Sequence, residues 1–159
     1  MATHDHGATA ISISIQNDDF NYGDELEAIC GGDYRVGGLA SFVGLVRDSN
    51  EGDAVSAMLL EHYPGMTEKA LQKIGEEAAQ RWALYKIRII HRVGLLQKGD
   101  RIVLVAVSSA HRADAFAACA FLMDYLKTRA PFWKREQTRS GERWVEAKES
   151  DDAAAARWQ

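Results

Sequence analysis

The sequence predicts an α+β fold, and three observations carry that expectation. Strand-like and helix-like segments interleave without the strict alternation of a βαβ series. The chain has 159 residues, 47% hydrophobic and 26% charged, a composition that suits one globular unit with a real core. Residues 102–107, IVLVAV, are apolar at every position, as expected of a central strand covered on both faces. A long apolar helical stretch follows it.

Taken in order, residues 1–10 read as a flexible tail and 11–159 as a single domain. With Met1 removed, Ala2, Thr3 and His4 could hold Cu(II) or Ni(II) through nitrogen, but a disordered tail with chance histidines is the stronger reading. Residues 11–15, ISISI, alternate as a half-buried strand. Residues 21–30 suit a short helix with Leu26 and Ile29 on one side, stopped by Gly31 and Gly32. Residues 37–46 form a second strand whose glycines allow bends or close backbone approach, and 48–53 a polar turn. In a third strand, 55–63, Val55, Ala57, Leu59 and Glu61 share one face, and Ser56, Met58, Leu60 and His62 the other. Pro64-Gly65 turns the chain, and Thr67 is the expected cap of a helix to about Trp82. A fourth strand spans 87–93, a turn 98–100, and the central strand 102–107. The long helix spans 112–129, closed by Pro131. A short strand at 143–145 and a helix over about 146–157 complete the chain.

The stretch Ser108–Glu136 concentrates the candidate chemistry. It carries five basic and three acidic residues, net +2, in a chain whose net charge is −4. A cationic patch on an acidic protein points to a specific anionic ligand rather than to nucleic acid. His111 and Arg112 open the long helix, where free N–H groups and the helix dipole already favour an anion. The plainer alternative is a solvated pair at a cap. Lys127 ends the same helix, where a cation also complements the dipole. Lys134 follows beside Phe132 and Trp133, and desolvation with like-charge repulsion would lower its pKa. Phe132 and Trp133 have core packing beneath a loop as their plain reading. Arg47, alone at a strand end, reads as a turn residue.

Other chemistries lack their signatures. Cys119 lies among apolar helix residues and Cys30 at a helix end, so both read as free structural thiols. His91 and His111 are not at metal-ligand spacing, and no dinucleotide, P-loop or nucleophile-elbow motif occurs. Neither a metal nor a cofactor is expected. The N-terminus resembles no secretory signal and no run reaches the ~20 apolar residues of a membrane span, so a cytoplasmic location is expected.

Five strings carry a family likeness: FVGLVR (42–47), LEHYPGM (60–66), IIHRVGLLQKGD (89–100), VSSAHRADAF (107–116) and MDYLKTRAPFWKRE (123–136). Together they resemble the catalytic large subunit of molybdopterin synthase, over roughly residues 37–150. The resemblance implies an α/β hammerhead-type fold with an additional small antiparallel sheet, and a homodimer within a heterotetramer. It implies a partner, a small ubiquitin-like sulfur carrier whose C-terminal Gly-Gly ends in a thiocarboxylate. Two sulfurs would pass from it to cyclic pyranopterin monophosphate. By the same resemblance Lys127 and Lys134 are the catalytic lysines, Lys127 nearest the thiocarboxylate carbon and Lys134 nearest the pterin. Arg47 with the backbone of Leu45 and Val46, together with His111, Arg112, Arg135 and Glu136, would bind substrate, His111 and Arg112 taking the phosphate. Some of the pocket could come from the second copy.

Overall fold

The computed structural model describes residues 8–50, 52–138, 141–145 and 149–159. Residues 1–7 of the expected tail, with the candidate nitrogen site at Ala2–His4, lie outside them, as do 146–148 of the expected last helix. The strand β1 (Ala10–Gln16) is followed by helix α1 (Tyr22–Cys30), β2 (Gly38–Leu45), β3 (Ser49–Asn50), β4 (Asp53–His62) and α2 (Met66–Arg81). Then come β5 (Lys86–Arg92), β6 (Gly94–Gln97), β7 (Arg101–Ser109), α3 (Arg112–Arg129), β8 (Phe132–Thr138), β9 (Gly141–Val145) and α4 (Glu149–Ala156).

Two sheets result, and the α+β class is the observed one. The first has the order β1-β5-β7-β2, parallel between β1 and β5 and antiparallel elsewhere. The second is antiparallel, ordered β3-β4-β8-β9, with β6 also pairing β4. It is the additional antiparallel sheet, though with five strands it is not smaller than the first.

β7 is central because both its faces are covered. Val103, Val105 and Val107 join the main core with Leu71, Ile74 and Ala78 of α2 and Ala118, Leu122 and Leu126 of α3. Leu104 and Ala106 face a smaller core with Phe20, Ile29 and Ile90. α3 buries Ala115, Ala118, Phe121, Leu122 and Leu126 among β7, β2, α2 and α4, while Phe116 stays exposed. The entry to β2 is tight: Gly37 donates its N–H to Ser109 O at 2.9 Å, and a Cβ there would collide with Ala110 O. Close backbone approach is therefore the reason for that glycine.

Three expectations need correction. A register shift between Val55 and Ala57 re-phases β4, so that Val55, Met58 and Leu60 enter the same core although simple alternation puts Val55 opposite the other two. α2 starts at Met66 with Gly65 as its cap, at φ 85°. Thr67 lies inside the first turn: its Oγ1 accepts from Tyr63 N at 3.0 Å and donates to Pro131 O at 3.1 Å. Finally, residues 132–138 form strand β8 rather than a loop, because β4 and β9 supply its hydrogen bonds from either side.

Candidate active site

A cavity of about 520 Å³ opens where the end of β2, the start of β8, the last turn of α3 and α4 converge. The pleat of β8 sets its chemistry. Alternate residues point to opposite faces, so Phe132, Lys134 and Glu136 line the cavity. Trp133 on the other face is 45% exposed. Because β8 follows α3 after only Ala130 and Pro131, the helix end brings Lys127 to the same cavity. The Thr67 bond to Pro131 O pins this corner to α2.

Lys127 and Lys134 are neighbours in this cavity, and Lys134 is held down to about 7. Burial is the largest cause, repulsion from Lys127 the next, while Asp151 and Glu136 pull the other way. An amine poised near neutrality can both take and return a proton at physiological pH. Lys127 is more exposed, as befits a residue at the cavity mouth.

Glu136 is buried and organises the opposite wall. Its Oε1 accepts from Asn50 Nδ2 at 2.7 Å and pairs with Arg143 Nε at 3.6 Å. Arg143 also donates to Asn50 O at 2.9 Å, and Arg47 donates to Asn50 Oδ1 at 3.3 Å. The polar turn expected at 48–53 thus holds β3, which anchors Arg47 beside the cavity.

The other expected site residues divide. Leu45 lines the cavity. The Val46 N–H is donated to Asp100 O and its carbonyl accepts from Gly99 N, so both backbone groups are taken by the 99–100 turn. Arg135 lies on the far face of β8, over the Trp144 ring at 4.4 Å and 3.6 Å from Glu142. His111 caps α3 and Arg112 begins it, both exposed. Fifteen residues separate Arg112 from Lys127, about 22 Å along the axis, so one chain does not bring these two groups together. The hydroxyls before them are structural: Ser109 Oγ donates to Ala83 O at 2.8 Å, and Ser108 Oγ accepts from Lys86 N at 3.1 Å. The thiols are as expected, Cys119 being pushed up to about 11 by burial and Cys30 Sγ donating to Leu26 O.

Four polar cavity residues escape the sequence reading: Ser49, Asn50, His91 and Asp151. His91 is 3% exposed, and its ring stacks on Phe132 at 3.7 Å and 15°. Nδ1 lies 2.8 Å from Arg92 O. A carbonyl oxygen only accepts, so Nδ1 carries the proton. Burial first, then Lys134, Lys127 and His62, push the ring down to about 3, against the Arg92 bond, and it stays neutral. A histidine in the apolar half of a strand was the signal available.

Three comparisons bear on this site. The family model described as MoaE protein matches residues 15–129. The chain is 57% identical over 147 residues to the molybdopterin synthase catalytic subunit of Ralstonia nicotianae, covering 92% of this chain and 84% of that one. It is 62% identical over 122 residues to that of Escherichia coli, covering 77% and 81%. Among solved structures, the molybdopterin biosynthesis MoaE protein from Burkholderia ambifaria MC40-6 superposes with a TM-score of 0.79 at 56% identity, over 93% of this chain and 97% of that one.

Proposed function

Since the chain belongs to the MoaE family of molybdopterin synthase catalytic subunits, we propose that it catalyses the sulfur transfer of molybdenum cofactor biosynthesis. The donor is the C-terminal thiocarboxylate of a small ubiquitin-like carrier, and the acceptor is cyclic pyranopterin monophosphate, which receives two sulfurs. The observation that carries this reading is the lysine pair: Lys127 at the cavity mouth against Lys134, held near neutrality inside.

The physical logic is electrostatic. A phosphate and a thiocarboxylate repel each other, and clustered cations offset that repulsion while orienting both. Lys127 meets the carrier's thiocarboxylate carbon, and Lys134 moves protons beside the pterin. Arg47 is held at the rim through Asn50. The sulfur arrives on the carrier, so no thiol of this chain takes part, in keeping with a buried Cys119 whose burial disfavours the thiolate.

His111 and Arg112 enter this scheme through a second copy. Both sit exposed at the far end of α3, and in a homodimer they serve the partner's cavity as a phosphate clamp at a helix N-terminus. Two carriers on such a dimer make the heterotetramer.

The test uses purified chain, thiocarboxylated carrier and pterin precursor, with the dithiolene product read by mass spectrometry. Wild type is expected to form it, and Lys127→Ala to form none at an unchanged melting temperature. Normal product from Lys127→Ala would remove that lysine from the mechanism. No product from wild type would sink the transfer reading.

A further inference from the structure

His91 is a buried polar side chain that the scheme above leaves without a task. Its ring is fixed twice: the stack on Phe132 sets its plane, and the bond from Nδ1 to Arg92 O sets its tautomer. With the proton on Nδ1, the neutral ring presents a bare lone pair at Nε2. The ring lines the cavity, and among the described residues Nε2 meets no hydrogen-bonding partner.

The titratable groups around the ring are Lys134 and Glu136 of β8, Lys127 of α3, His62 of β4 and Asp151 of α4. A second positive charge among the lysines is disfavoured, so the ring remains an acceptor. A lone pair repels phosphate and thiocarboxylate, which are acceptors themselves. It suits a ligand's N–H. Of the molecules proposed to meet in this cavity, the carrier's Gly-Gly tail has amide N–H groups and the pterin has donors on its amino group and ring nitrogens. The tail is proposed to end at Lys127 at the mouth, so the donors proposed for the ring are the pterin's, away from its phosphate.

We propose that His91 is a specificity-determining residue whose Nε2 accepts a hydrogen bond from the donor edge of the pterin, turning that edge toward β5 and the phosphate toward the cations. This rests on the reading of the cavity as the pterin site. An unmet acceptor penalises any ligand that offers no donor there.

Two variants separate the acceptor from the packing. His91→Phe keeps a ring against Phe132 and removes the lone pair. His91→Gln loses the ring and restores an acceptor at similar reach. We expect the KM for the pterin precursor to rise roughly ten- to hundredfold in His91→Phe, with kcat at saturation and carrier affinity little changed, and His91→Gln to recover most of the loss. Wild-type KM in His91→Phe would overturn the proposal. A fall in kcat at constant KM would overturn it too, since His91 would then act through Lys134. Should His91→Phe fail to fold, ¹⁵N spectra of histidine-labelled wild type give the answer: adding precursor alone must shift His91 Nε2 away from its bare-nitrogen position, and no shift would overturn the idea. This arm needs no transfer. A wild type that shows the shift but makes no product strikes the transfer reading alone, and one that turns over without it strikes only the role of His91.

Discussion

Replacing Lys134 by methionine should make the protein more stable while abolishing turnover. The folded state holds this amine near 7 against an ordinary 10.5. Each pKa unit is about 1.4 kcal/mol, so below pH 7 the buried ammonium costs the fold at most about 5 kcal/mol. Relaxation around the charge lowers that ceiling, and replacing a buried ion by an apolar side chain commonly gains a few kcal/mol. We expect about 2 kcal/mol. The pH dependence fixes the origin. Between pH 7 and 10.5 the unfolded chain binds the proton and the folded one does not, so wild-type stability rises with pH across that window. The advantage of Lys134→Met is full at pH 6 and fades as the pH approaches 10.5. Urea denaturation at pH 6, 8 and 10 measures it. A variant less stable than wild type at pH 6, or a difference that ignores pH, would refute the picture of a desolvated amine.

Three other outcomes are expected. Arg112→Ala should weaken precursor binding roughly tenfold or more, as loss of a charged hydrogen bond does, without moving the melting temperature; unchanged affinity in calorimetry would remove it from the phosphate site. Glu136→Ala takes the acceptor from Asn50 and the counter-charge from Arg143 and should cost about 2–4 kcal/mol in thermal denaturation, with Glu136→Gln milder because an amide oxygen can still accept from Asn50. Trp158→Phe removes an indole N–H bonded to Asp124 at 2.6 Å and should cost about 1–2 kcal/mol, read as faster amide exchange in α4.

How far the sequence could be read depends on what signals each element. β7 was legible because an apolar run needs covering on both faces, which it receives, and α3 because a long apolar stretch must be buried against several neighbours. β8 was not, since its inward residues are Phe132, Lys134 and Glu136, two of them charged, and no polarity alternation marks FWKREQT as a strand. Its hydrogen bonds come from β9 and from β4, the latter some 70 residues earlier in the pairing Leu60 to Lys134. The phase of β4 was hidden for a similar reason: the irregularity at Ser56 leaves no mark in composition. At the site, the lysine pair follows from a helix end and a short connection. His91 does not, because its neutrality depends on a ring supplied by Phe132 and on two lysines distant in sequence. The family likeness put Arg135 among the site residues, and the pleat of β8 places it on the other face.

α3 packs against β7, β2, α2 and α4, and a helix held by several neighbours behaves as a screw in a threaded hole. Each residue along it advances about 1.5 Å and turns about 100°. One inserted residue before Lys127 would swing that amine out of line with the cavity or drive the whole apolar surface out of register with β7. Either result is paid at a distance from the insertion. Lengthening the polar segment at 48–53 costs only loop entropy, which grows slowly with length. Among related chains, α3 should therefore keep its number of residues even where side chains and loops drift, with length itself as the property held constant.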